Sequence, residues 1–163
     1  MTGPRLYVGI AELEVARAPV RLHAAALGSC VAVILYDAVA TVGGLAHVLL
    51  PSQHIGRPRP DQPARAAPTA IAALLEGLLA LGAKESRLTA RLVGGASMFT
   101  ALQPAGTLQM GERNVSAARV VLHRLGLRVT GEAVGGDFGR SVEFDIATGR
   151  VLVTSYQHGA IEL

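Results

Sequence analysis

Apolar residues recur along the chain in two rhythms. Short β-branched runs with period-two alternation predict strands at LYVGI (6–10), CVAVILYD (30–37), VGGLAHVLL (42–50), RLTARLVGG (87–95), RVTGEAVGG (128–136), SVEFDIA (141–147) and RVLVTSY (150–156). The short AVAT link between the second and third predicts an antiparallel hairpin, and the T-G turn in SVEFDIATGRVLVTSY predicts another. A helical period appears twice. Ile71, Leu74, Leu75, Leu78 and Leu81 mark one helix, opened by Pro68 or Thr69 and closed by Gly82. In the second, Val115, Ala118, Leu122 and Leu125 share a face opposite Arg113, Ser116, Arg119 and His123, and Gly126 ends it. The proline- and arginine-rich stretch 51–68 reads as an exposed connection or flap, outside the core. No repeat or boundary divides residues 1–163, so the expectation is one α+β domain with mostly antiparallel strands.

Composition narrows the picture. Half of the 163 residues are hydrophobic and the mean hydropathy is +0.40, which argues against disorder. Trp is absent and aromatics are few, so the core is built from Leu, Val, Ile and Ala. The net charge of +3 comes from scattered arginines, with no basic block and no interleaved aromatics, so no nucleic-acid partner is expected. The longest apolar helix is interrupted by Glu76 and falls short of the roughly 20 residues that cross a bilayer. With no signal core at the N-terminus, a cytoplasmic protein that is not membrane-embedded is expected.

Candidate chemistry centres on Cys30, the only cysteine, and on His47. One cysteine makes no internal disulfide or cysteine-rich zinc site, and no metal or organic cofactor is expected. Cys30 follows Leu27-Gly28-Ser29, where a tight turn could leave backbone N–H groups free for an oxyanion. Counting outward from the hairpin link pairs Asp37 with Val42 and Cys30 with Leu49. That places His47 diagonal to Cys30 on one face. A slip of one residue would part them. Two readings stand on these residues alone: a thiol nucleophile with its imidazole base, or a small core thiol and a satisfied histidine. His23, His54, His123 and His158 read as solvated. The pairs Gly43-Gly44, Gly94-Gly95 and Gly135-Gly136 match no nucleotide-binding pattern. They read as bulges and close chain crossings, or as the floor of a narrow substrate channel.

Ordered along nearly the whole chain, VGIAELEV (8–15), LGSCVAVILYD (27–37), VGGLAHVLLP (42–51), TAI (69–71), GGASMF (94–99), MGERNV (110–115) and VGGDFGRSVEFDIATGRV (134–151) resemble the CheD family of chemoreceptor glutamine deamidases. The resemblance implies a layered α/β/β/α sandwich like the catalytic domain of cytotoxic necrotizing factor. It implies Cys30 as nucleophile and His47 as its histidine; the turn itself offers Gly28 and Ser29 as loop and oxyanion support, with Ser29 equally readable as a turn residue. The implied reaction is glutamine-to-glutamate conversion on the cytoplasmic domain of chemotaxis receptors, with ammonia released. A CheC-type phosphatase is an implied partner. The family's third catalytic member, a threonine six residues before the cysteine, is here Ala24. A backbone carbonyl or another residue must then orient His47, or activity is reduced. The alternative is an adaptor with weak or no catalysis that binds receptor or phosphatase, with Phe99 as one candidate contact.

Overall fold

In the computed structural model, which describes residues 3–98 and 109–163, ten strands form two five-stranded sheets. One holds, in spatial order, β1 (Arg5–Tyr7), β3 (Arg21–Leu27), β8 (Arg140–Asp145), β9 (Arg150–Ser155) and β10 (Gly159–Glu162). The other holds β2 (Leu13–Arg17), β5 (Val42–Val48), β4 (Val31–Asp37), β6 (Thr89–Gly94) and β7 (Arg128–Val134). Only the β1–β3 and β6–β7 pairs are parallel, so the sheets are mixed and mostly antiparallel.

Two helices, α1 (Ala67–Ala80) and α2 (Met110–Arg124), cover the β2–β7 sheet. Pro68 lies in the first turn of α1, where a missing N–H breaks no helical bond. Helix α1 buries Ala67, Ala70, Ile71, Leu74 and Leu78; α2 buries Val115, Ala118 and Leu122. These side chains meet Val31, Val33, Leu35, Ala46 and Val48 from the sheet. The alternate residues Ala32, Ile34, Tyr36 and Leu45 face the other sheet, against Leu22, Leu27, Val142, Phe144 and Val151. The fully buried run along β4 and β5 is thus a central strand pair with apolar neighbours on both faces. Close sheet contact requires glycine at position 43, because a Cβ there would lie 2.5 Å from Cε1 of Phe144.

Several expectations need correction. The resemblance implies four layers, whereas the described residues form three, α/β/β, because both helices sit on one sheet. The outer face of the other sheet leaves Leu152 and Ile161 exposed. Strands β2, β3 and β10 were not anticipated. Arg, Glu, His and Ala dilute the apolar alternation in LEVAR and RLHAAAL, and GAIE is fully exposed. The 51–68 connection is not wholly peripheral. Ala64 and Ala66 are buried, and Leu49 and Leu50 N–H groups both donate to the Arg65 carbonyl.

Candidate active site

The β4–β5 hairpin sets the site. Its register pairs Asp37 with Val42, Ala32 with His47 and Val31 with Val48. Continued one step, it places Cys30 opposite Leu49 and diagonal to His47, as counting from the link predicts. Cys30, Ala32, Leu45 and Leu49 all belong to the layer between the sheets, and His47 shares the alternation of Leu45 and Leu49. The turn is fixed by Asp37. Its fully buried carboxylate accepts from the N–H groups of Val39 and Ala40, from Lys84 N–H and from the Arg87 guanidinium. Burial alone would raise its pKa, but these donors prevail and hold it at about 2.

Cys30 ends the LGSC turn at the head of β4, 8% exposed. The β6–loop junction lies against it. The Gly95 N–H donates to the Cys30 carbonyl at 2.8 Å and the Ala96 N–H to the Gly28 carbonyl at 2.8 Å. Gly94 adopts φ +111°, and a Cβ there would lie 2.3 Å from the Cys30 carbonyl oxygen, so only glycine permits this approach. This accounts for one glycine pair by close chain contact beside the thiol. Gly28 and Ser29 are half-buried on the same turn.

His47 is 1% exposed and is held by the VGIAE segment. Its ring Nδ1 lies 3.2 Å from the Val8 carbonyl. Its backbone N–H donates to the Glu12 carbonyl, and its own carbonyl accepts from the Ala11 N–H, both at 2.9 Å. A carbonyl can only accept, so Nδ1 carries the hydrogen. Nε2 is then a lone-pair acceptor, buried and without a partner among the described residues. Burial lowers the His47 pKa, against the opposing Val8 bond and Glu12 charge, while burial raises the Cys30 thiol. Both shifts favour a neutral thiol and a neutral imidazole at rest. Such an imidazole can take the thiol's proton as the sulfur attacks.

Ala24, where the resemblance expects threonine, is fully buried on β3 opposite Val142 and offers only a methyl group. Val8 supplies the orienting acceptor instead. A backbone carbonyl carries no residue-type signature, so sequence reasoning could not name it. Two further groups were missed. Asn114, fully buried on α2, donates from Nδ2 to the Ser29 carbonyl at 2.9 Å and the Leu49 carbonyl at 3.0 Å. Arg140, opposite Leu27, donates to the Ala133 and Gly135 carbonyls and stacks over Phe138, fastening the Gly135–Gly136 loop. The remaining histidines lie away from this pair. His54, His123 and His158 are exposed, whereas His23 is half-buried on β3 beside Tyr7. Phe99 lies outside the described residues. Among the described residues, no helix is long and apolar enough to cross a membrane.

Comparison with known proteins gives this geometry a family. Residues 49–155 match the family model described as CheD chemotactic sensory transduction. The chain is 43% identical over 148 residues to the "Probable chemoreceptor glutamine deamidase CheD" of Desulforamulus reducens, covering 91% of this chain and 89% of that protein. It is 39% identical over 156 residues to the "Chemoreceptor glutamine deamidase CheD" of Halalkalibacterium halodurans, covering 96% of each. Among solved structures, Neisseria meningitidis protein NMB0706, described as DUF152, aligns with TM-score 0.45 at 16% identity. That alignment spans 82% of this chain and 63% of the other, under two thirds of its length, and carries no functional inference. The curated relatives include the Cys30 and His47 region that the family-model span leaves out, and align nearly end to end; the chain belongs to the CheD family.

Proposed function

We propose that this protein deamidates specific glutamine side chains of chemotaxis receptors, with Cys30 as nucleophile and His47 as general base and acid. The observation that carries the reading is the state of His47. Its Nδ1 is committed to Val8, and its Nε2 has no partner among the described residues, while the register sets the side chain on the face that Cys30 shares. The names of the relatives supply the substrate class.

In the proposed reaction, Nε2 takes the thiol proton as Sγ attacks the carboxamide carbon of glutamine. Backbone N–H groups of the Gly28–Ser29–Cys30 turn stabilise the oxyanion. The imidazolium then protonates the leaving nitrogen, the C–N bond breaks, and ammonia departs from a thioester. A water molecule, deprotonated by the same Nε2, attacks the thioester. The C–S bond breaks, sulfur regains its proton, and glutamate remains. No step uses a metal or organic cofactor. Ala24 does not argue for inactivity, because the Val8 carbonyl occupies the orienting role. A CheC-type phosphatase is proposed as a second partner on the resemblance alone.

The test is peptide mass spectrometry of a receptor cytoplasmic fragment after incubation with wild-type protein, Cys30→Ala and His47→Ala. Conversion of glutamine to glutamate by the wild type alone is expected. Conversion by Cys30→Ala at the wild-type rate would overturn the assignment of the nucleophile. Stable receptor binding without conversion by any of the three would favour the adaptor.

A further inference from the structure

The polar group of this site with no assigned task is Asn114. It lies on the inward face of α2, among Val115, Ala118 and Leu122, where a polar side chain is costly unless bonded. Both of its recorded bonds come from one nitrogen, and both acceptors flank the reacting pair. Ser29 immediately precedes Cys30, and Leu49, two residues beyond His47, is opposite Cys30 when the register is continued one step. The β4–β5 pairing ends at Val31 and Val48, so beyond that point the Asn114 carboxamide continues the link between the nucleophile's loop and the base's strand.

The Ser29 bond has a directional consequence. The Ser29 carbonyl and the Cys30 N–H belong to one peptide unit, and in a trans peptide they point in opposite directions. Pinning the carbonyl toward α2 therefore aims the N–H away from α2. Burial raises the Cys30 thiol pKa, and the backbone N–H of Cys30 opposes that rise. Aimed away from α2 on the residue that carries the thiol, this N–H is placed to meet a substrate carbonyl oxygen during attack. The preceding peptide of the turn is tied by the Ala96 N–H on the Gly28 carbonyl, so the loop is held on both sides of Ser29.

We propose that Asn114 is a positioning residue for the deamidation. Its carboxamide fixes the Ser29–Cys30 peptide as an oxyanion donor and clamps it to the strand that carries His47. This rests on the assignment of Cys30 as nucleophile. Aspartate has the same shape as asparagine but offers carboxylate oxygens to the two carbonyls, so Asn114→Asp removes both bonds with little change in volume.

The experiment measures kcat and KM for receptor-fragment deamidation, the pH profile of Cys30 alkylation by iodoacetamide, and thermal unfolding. Wild type, Asn114→Asp, Asn114→Ala and Cys30→Ala are compared. For a folded Asn114→Asp, kcat should fall about 10²–10³-fold, the loss typical of an oxyanion donor, with KM within about threefold. The alkylation profile should move to higher pH as the N–H leaves the sulfur. Where Asn114→Asp does not fold, Asn114→Ala, which buries no charge, is expected to show the same pattern. A merely structural role would reduce the fraction of reactive thiol without moving the profile or the kcat per reactive thiol. An inactive Cys30→Ala together with a folded position-114 variant within about twofold of wild-type kcat overturns the positioning role while leaving the nucleophile in place. A fully active Cys30→Ala overturns the nucleophile, and the positioning role with it.

Discussion

Replacing Asp37 with asparagine tests whether the turn that sets the Cys30–His47 register is also a main stabilising point of the fold. One carboxylate oxygen accepts from Val39 and Ala40, the other from Lys84, and the Arg87 guanidinium reaches both. Whichever way an asparagine turns, its NH₂ group faces N–H donors that have lost their acceptor. Breaking a buried ion pair by removing one partner typically costs about 3–5 kcal/mol. Asp37 is fully buried while Arg87 is 28% exposed and can turn toward water, which argues for the lower figure, about 3 kcal/mol. For a chain of this length that is a fall in Tm of about 6–12 °C. The loss also carries a pH signature. The Asp37 pKa is depressed from 3.8 to about 2, so the folded state binds fewer protons than the unfolded one in that window. Its contribution is complete above the unfolded value and is lost as pH falls through the folded one, a change of about 2 kcal/mol. Urea unfolding followed by circular dichroism, at pH 7 and at about pH 2.5, measures both quantities. The gap between wild type and Asp37→Asn should be wide at neutral pH and narrow in acid. A gap under about 0.5 kcal/mol at pH 7, or one unchanged in acid, refutes the reasoning.

Two further outcomes are expected. The rate of Cys30 alkylation should rise with pH through an inflection above the ordinary thiol value near 8.5, because burial opposes the thiolate and lowers the His47 pKa. An inflection below about pH 7 would instead reveal a preformed thiolate–imidazolium pair. Installing the family's threonine by Ala24→Thr should not raise the deamidation rate, since Nδ1 already has the Val8 carbonyl, and overpacking a fully buried position should lower stability by about 1–3 kcal/mol. A faster variant, measured on the same receptor fragment, would show that the carbonyl is a poor orienter.

The hairpin was legible because its signals are local. The short AVAT link fixes the count, apolar runs flank it on both sides, and a one-residue slip would turn every side chain to the wrong layer. Both helices were legible for the same reason: Leu and Val recur at helical spacing and glycines in left-handed geometry follow each C-terminus. Strand β3 was not, because RLHAAAL pairs with β8 through backbone bonds while its run of three alanines carries little strand propensity. The β6–β7 pairing was equally hidden, since a parallel neighbour is reached only across α2. At the site, Cys30 and His47 were visible as residue types at a countable spacing. Asn114 was not, because an asparagine on an apolar helix face shows no purpose until its two carbonyl partners are folded against it.

The parts of the site that sequence could not name share one property: they act through peptide groups. The Val8 carbonyl sets the tautomer of His47, and the Asn114 carboxamide sets the direction of the Ser29–Cys30 peptide. Orientation by backbone depends on where a segment lies more than on which side chains it carries. The VGIAE segment must therefore be fixed independently of its sequence. It is, through the paired backbone bonds between Glu12, Ala11 and His47. The same clasp that holds the imidazole ties residues 8–12 to β5. A chain built this way can carry alanine in place of a side-chain orienter and keep the geometry of His47, provided the clasp stays closed. Damage to the clasp should then be felt at Nε2 before it is felt in the stability of the sheets, because residues 8–12 lie outside both strand ladders.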